Sequence, residues 1–254
     1  MAAWEIRAVQ QSRRRRGPVK ACAFSTDSKL FASGSSDCTV RVWNTTIAEC
    51  LHILKGHSKS VETICFNHDS SLLVSGGWDY TVVLWDPESG DIRMSFLGHQ
   101  SVITTSAFSF NGLYLATGSW DYTVKLWNVR KRTQKSTLQG HTGNVSCVAF
   151  STIGMLASGS WDKTVRVWDP RNGHLIFLLG NHTGRLMALS FSLDGILLVT
   201  AADDKMIYMW DCEDGKCHKT LQGQLDIVSS CQFSVDTLLT AGTCELGLLV
   251  TKAN

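Results

Sequence analysis

Hydroxyl, imidazole and carboxylate side chains recur together along this chain, and that trio is the raw material of hydrolytic catalysis. Imidazole can deprotonate a hydroxyl, and a carboxylate can hold the imidazole in the useful tautomer. Asp37, Asp79, Asp121, Asp162 and Asp204 each follow a Ser or Thr by four residues: Ser33, Ser75, Thr117, Ser158 and Thr200. His57, His99, His141 and His182 lie 21 or 22 residues before the last four of these Asp. Six residues after each Asp stands a Trp followed by Asp or Asn: Trp43, Trp85, Trp127, Trp168 and Trp210, at steps of 42, 42, 41 and 42. An active site is normally single, whereas this set returns with an almost constant period. No Gly-x-Ser-x-Gly elbow and no Gly-rich phosphate loop ending in Lys accompanies it. The set therefore reads as structural, no residue is assigned a catalytic role, and the chain is expected not to be an enzyme.

A structural role has its own chemistry. The Asp accepts a hydrogen bond from the upstream His, the His reaches the Ser or Thr, and that hydroxyl meets the indole N–H of the Trp. Each polar group then has the partner that burial demands. At about 1 kcal/mol net per bond the network stabilises modestly, but losing one member strands the others.

The elements that must position these residues are short strands. Val61 to Phe66, Leu72 to Ser75, Thr81 to Trp85 and Ile92 to Leu97 are β-branched or alternating runs, separated by turn residues such as His68-Asp69-Ser70 and Pro87-Glu88-Ser89-Gly90. Four strands per unit make a small antiparallel sheet that cannot bury both faces alone. Radial stacking of such sheets is the β-propeller solution. Composition agrees with a packed domain: 254 residues, 44% hydrophobic and 18% charged, with 21 Gly, 9 Trp and only 3 Pro.

The balance of 24 Lys and Arg against 22 Asp and Glu gives a charge of +2, which favours neither nucleic acid nor acidic lipid. No apolar run reaches the ~18 residues of a membrane span, and residues 1–16 carry no signal-type apolar stretch. A cytoplasmic or nuclear setting is expected. The nine cysteines are an odd number without a CxxC pair; Cys22, Cys65, Cys147 and Cys231 fall in strand-like runs and are expected in the core. No metal or cofactor is implied.

The chain resembles the WD-repeat family of β-propellers. Gly56-His57, Gly98-His99, Gly140-His141 and the five Trp-Asp/Asn pairs carry the resemblance, which spans Val19 to Ser234. It implies an all-β propeller that serves as a non-enzymatic scaffold for a protein or peptide partner. The expected organisation is one domain over 1–254: a basic arm at 1–17, five repeats at 18–227 and a degenerate partial repeat at 228–254. The first unit has Arg15 at its His position, and the last has Cys244 and Val250 where Asp and Trp belong. Trp4 to Val9 could supply the fourth strand of a composite sixth blade, closing the ring from both termini. The alternatives are an open arc, or a shortened version of a seven-bladed parent.

In such a propeller the His and Asp loops share one face. The residue before each Asp projects near it: Ser36, Trp78, Trp120, Trp161 and Asp203. The fold does not require an aromatic there, so three successive Trp point to partner binding, unless each indole lies flat on its own blade. By resemblance, Glu62, Thr104, Ser146 and Met187 also face this side near the channel, as do Ser60, Val102, Asn144 and Arg185. Indoles ringed by small polar groups, one carboxylate and one guanidinium suit a short peptide with a polar or basic anchor. A different function is implied by Trp168-Asp169-Pro170-Arg171, which matches the Trp-Asp-x-Arg signature of substrate receptors that dock on the adaptor of cullin-RING ubiquitin ligases. Asp169 and Arg171 would carry that contact. Arg13 to Arg16 reads as a solvated basic arm or a nuclear-import element, and nucleic-acid binding is not favoured because no basic stripe follows.

Overall fold

The computed structural model describes residues 16–222, 226–234 and 237–242. The proposed strand at Trp4 to Val9, Arg13 to Arg15, Cys244 and Val250 lie outside the described residues. Within them the chain is a run of antiparallel meanders. The first sheet comprises β1 (Val19–Phe24), β2 (Leu30–Ser35), β3 (Thr39–Asn44) and β4 (Glu49–Lys55). The second comprises β5 (Val61–Phe66), β6 (Leu73–Gly77), β7 (Val82–Trp85) and β8 (Ile92–Phe96). The third comprises β9 (Ile103–Phe108), β10 (Tyr114–Ser119), β11 (Val124–Asn128) and β12 (Thr133–Leu138). The fourth comprises β13 (Val145–Phe150), β14 (Leu156–Ser160), β15 (Val165–Asp169) and β16 (His174–Leu179). The fifth comprises β17 (Leu186–Phe191), β18 (Leu197–Ala202), β19 (Ile207–Asp211) and β20 (Cys217–Leu221), and a two-stranded sheet of β21 (Val228–Ser234) and β22 (Thr237–Gly242) follows. These are the five full blades that the repeat period predicts, with part of a sixth.

Strand character explains the burial pattern. The second and third strands carry the apolar and small residues, and β6, β7 and β14 are buried along their whole length. The fourth strands are the most exposed, polar in β12 and β20 but apolar in β16. The first strands of successive sheets pack on one another, β1 on β5, β5 on β9, β9 on β13, β13 on β17 and β17 on β21. They are therefore innermost, and the sheets fan outward from them.

The core follows from this geometry. It is not one central mass but a series of layers, each made by two neighbouring blades. Ala32, Val40 and Val42 of the first blade pack with Val61, Leu73 and Trp85 of the second. Val74, Val82 and Leu84 of the second pack with Ile103, Leu115 and Trp127 of the third. Neither sheet face could be buried without its neighbour, which is why the repeat must be radial.

The spacing between blades is set by a glycine directly after the tetrad Ser or Thr. A Cβ on Gly76 would lie 2.8 Å from Ile103 Cγ2, and one on Gly118 would lie 2.6 Å from Val145 Cγ1. Gly34 and Gly159 meet the next blade in the same way. In the fifth blade Ala201 occupies this position, buried in a layer with Val228 and Cys231. The approach to the sixth unit is thus shaped for a methyl group that the other layers exclude.

Overpacking a layer of this kind forces shifts in both blades. Gly118→Val is expected to lower the unfolding free energy by ~1–3 kcal/mol, read from the midpoint of urea unfolding.

Candidate functional site

The recurrent polar set assembles at one end of each blade. In the second blade His57 Nδ1 lies 2.8 Å from Asp79 Oδ2, His57 Nε2 lies 2.7 Å from Ser75 Oγ, and Trp85 Nε1 donates to Ser75 Oγ at 2.7 Å. The third blade repeats this with His99, Asp121, Thr117 and Trp127 at 2.7, 2.8 and 2.8 Å. The fourth does so with His141, Asp162, Ser158 and Trp168 at 2.8, 2.9 and 2.9 Å. The fifth uses His182, Asp204, Thr200 and Trp210 at 3.0, 2.9 and 2.9 Å. In the first blade Trp43 Nε1 donates to Ser33 Oγ at 3.0 Å, and Asp37 accepts from Thr39.

Donor bookkeeping fixes the protons. An indole only donates, so the hydroxyl oxygen accepts from it and turns its own hydrogen to His Nε2. Nε2 is then the acceptor, and Nδ1 carries the hydrogen that goes to the carboxylate. The same Asp79 Oδ2 also accepts from the Ser58 amide at 3.0 Å, and Oδ1 accepts from Thr81 Oγ1 at 2.8 Å. One carboxylate thus ties the blade's second turn to the connector that precedes its first strand.

This arrangement has the order of a catalytic triad and cannot act as one. Ser75, Thr117, Ser158 and Thr200 are 0% exposed. Each hydroxyl proton already points at an imidazole while its oxygen accepts an indole, so no substrate carbonyl can approach. The carboxylates are tuned for the same static role. Burial pushes the Asp79 carboxyl up, but the hydrogen bond from His57, with bonds from Thr81 and Ser58, outweighs it and brings it down to about 2. Asp121, Asp162 and Asp204 are lowered against burial by the same kinds of bond. Burial pushes His182 down, and its contacts with Asp204 offset this only in part.

The cysteines divide by position. Cys147 and Cys231 are buried, as expected, and Cys65 is half-buried. Desolvation pushes the Cys65 and Cys147 thiols up to about 12, so they stay protonated. Cys22 is exposed, contrary to expectation. It sits on β1, the inner strand of the first blade, where the described residues provide no preceding blade to cover it. Among the described residues no group of His, Cys, Asp or Glu could hold a metal ion, and no helix is long and apolar enough to cross a membrane.

The tetrads also place the residue before each Asp. The Trp78 amide donates to Ser60 O, Trp120 to Val102 O and Trp161 to Asn144 O, each at 2.9 Å. These acceptors precede the innermost strands, so the three side chains stand over the inner end of their blades. There the indoles meet. Trp78 and Trp120 lie edge to face with ring centroids 5.3 Å apart, and Trp120 and Trp161 are 6.0 Å apart. The row continues into the fifth blade, where the Arg185 guanidinium lies over Trp161 at 4.9 Å and its Nε donates to Asp203 Oδ2 at 2.8 Å. At the other end Trp78 Nε1 donates to Glu62 Oε1 at 2.9 Å, as does Ser60 Oγ at 2.7 Å. Trp78 and Trp161 remain 41% and 39% exposed.

Sequence reasoning found these residues but not their contacts. It treated the indoles as equivalent and separate, one per blade, and missed Asp203 as the anchor of Arg185. Thr104 and Ser146 have a different job from their neighbours. Thr104 Oγ1 donates to Val145 O and Ser146 Oγ to Leu186 O, both at 2.6 Å, latching each inner strand to the next blade. Met187 is half-buried on β17.

Asp169 and Arg171 lie at the opposite end of the fourth blade. In an antiparallel meander the turn from β15 to β16 is at the far end from the turn that bears Trp161 and Asp162. Arg171 is paired to Asp169 through Nε at 2.9 Å and Nη2 at 3.0 Å, with its side chain 84% exposed. The two residues line a cleft of about 250 Å³ together with Tyr114, Phe150 and Ile176.

Five four-stranded sheets stacked through inner strands, four of them pinned by His–Asp–Ser/Thr–Trp tetrads, define a WD-type β-propeller. Within that class, residues 3–251 match the family described as the IFT122 first beta-propeller, and the chain belongs to that family.

Thr117→Val leaves both the Trp127 N–H and His99 Nε2 without a partner, and a loss of ~1–3 kcal/mol is expected on chemical unfolding. A carboxyl held below its unfolded value near ~3.9 contributes stability that is present above that pH and lost below it. Stability should therefore fall from pH ~4 toward 2 through Asp79. His182, also lowered, adds an earlier loss as pH drops below ~6.5. Asp79→Asn should flatten the lower limb of the pH–stability curve measured by urea unfolding.

Proposed function

We propose that this chain is a non-catalytic binding module that takes a protein or peptide partner on the face carrying Trp78, Trp120 and Trp161. The observation that supports it most is the touching row of three indoles, two of them well exposed. Tryptophan combines a large apolar surface with a polar edge, and its truncation at an interface often costs ~2 kcal/mol or more. The flanking Glu62 and Arg185 give the row one acidic and one basic end, and Met187 adds an adaptable apolar contact nearby. Thr104 and Ser146 belong to this face as supports, since their hydroxyls hold neighbouring blades in register. The whole reading places a single propeller domain over 1–254, in a cytoplasmic or nuclear setting. From segments 156–165 and 210–217 we propose a kinship with WD repeat-containing protein 38, which adds no partner.

A second reading uses the other face. Arg171 is exposed beside a cleft with its guanidinium oriented by Asp169, a geometry that suits docking on a ubiquitin-ligase adaptor. The charged pair itself adds little stability at such an exposed site, so its role would lie in contact with a partner.

The two readings separate in one experiment. Affinity capture with quantitative mass spectrometry on the full chain should lose its partner set in Trp120→Ala/Trp161→Ala, with the thermal midpoint moved by no more than a few degrees. Unchanged capture by that variant defeats the first reading. Loss of a ligase adaptor in Arg171→Ala, with other partners retained, would favour the second, and no adaptor in either sample removes it.

A further inference from the structure

We propose that the Trp78 end of the indole row is a receptor for one arginine side chain of the partner; this rests on the tryptophan-face reading and specifies its anchor. The row presents the same pair of groups twice, an indole beside a carboxylate, and only one of them is filled. At the Trp161 end the protein supplies its own cation. The Arg185 guanidinium covers the indole at 4.9 Å, and Asp203 takes its Nε at 2.8 Å while accepting the Arg185 amide at 2.6 Å. At the Trp78 end the carboxylate is present and the cation is not. Glu62 Oε1 accepts from Trp78 Nε1 and Ser60 Oγ, and Oε2 has no partner among the described residues.

The chain's own sequence makes the difference. Arg185, three residues after His182, reaches back from the fifth blade to Trp161 of the fourth, and the position that would reach back to Trp78 from the third blade, three residues after His99, is Val102. Val102 is buried and uncharged, and Ser60 of Trp78's own blade orients the glutamate without bringing a cation. The basic side chain of that loop, Lys59, places its ammonium over the Tyr80 ring, 5.6 Å from its centre. No ion pair to Glu62 occurs among the described residues. An acidic group fixed by two hydrogen bonds next to an exposed indole is complementary to a planar cation. A guanidinium can lie on the ring and still send an N–H to the free oxygen. The Trp161–Arg185–Asp203 cluster shows that geometry within the same molecule.

The test uses the full chain labelled with ¹⁵N and follows its indole N–H signals, assigned with Trp78→Phe and Trp161→Phe. The probe is a Gly/Ser heptapeptide with one central arginine, and the controls replace it with citrulline, lysine or trimethyllysine. The arginine peptide should shift the Trp78 signal saturably and leave Trp210 unmoved, and citrulline should not. Glu62→Gln keeps the oxygen that orients Trp78 and removes the charge, and about ten-fold weaker binding is expected. Arg185→Ala should free the second pair, so that Trp161 also responds to the peptide. Equal response to citrulline, tighter binding of lysine or trimethyllysine, or a silent Trp78 at millimolar peptide would each overturn the assignment. A silent Trp78 with partner capture still lost in Trp120→Ala/Trp161→Ala overturns this site alone. Capture that survives that double variant overturns the face reading, and with it any role for this site in holding a partner.

Discussion

The structure depends on one buried oxygen in each blade. In the second blade it is Ser75 Oγ, which accepts from Trp85 and donates to His57. Through it the second strand, the third strand and the incoming connector are joined in a buried space. A lone hydroxyl in that space would be costly, and so would a lone imidazole or indole N–H. Together they satisfy one another, and the low polarity around them strengthens each bond. The network earns its place by geometry more than by energy: it fixes where a connector of variable sequence must cross the blade.

Two consequences follow for the face above it. The turn before the third strand is held by Asp79 and its counterparts, so the residue preceding that Asp always emerges over the inner strands. Blades are narrow there and close together, because glycines such as Gly76 and Gly118 allow the next inner strand to approach. Large side chains at this position in adjacent blades must therefore collide, stack or be displaced. Trp78, Trp120 and Trp161 stack, at spacings normal for aromatic pairs. The apolar surface on this face is thus a product of the same spacing that builds the core.

The two ends of the molecule differ in chemistry. The end with the tetrads carries indoles, Glu62 and the Arg185–Asp203 pair. The opposite end carries the Asp169–Arg171 pair beside the cleft lined by Tyr114, Phe150 and Ile176. Repetition makes the scaffold, and departures from repetition make the surfaces: Arg185 in place of Ser60, Asp203 in place of a tryptophan, Ala201 in place of a glycine. These three departures fall in the fifth blade, which borders the sheet of β21 and β22, while Glu62 is the departure of the second.

The five blades and their tetrads were legible in the sequence, because polar residues at fixed offsets can only be buried if they meet one another. A period near 42 residues and alternating runs then left radial stacking as the way to cover both sheet faces. The inner strand 61–66 matched its prediction, and the second strand, expected at 72–75, runs over Leu73–Gly77, since the glycines there pair with β5 although they carry no strand signal. Other features depended on the angle and distance between blades, which no single repeat encodes. The contact of Trp78 with Trp120, the latch from Thr104 to Val145, the exposure of Cys22 and the capture of Arg185 by Trp161 all join or separate residues of different blades. Local sequence fixes what each blade contains; how closely neighbouring blades approach at their inner ends decides which side chains meet.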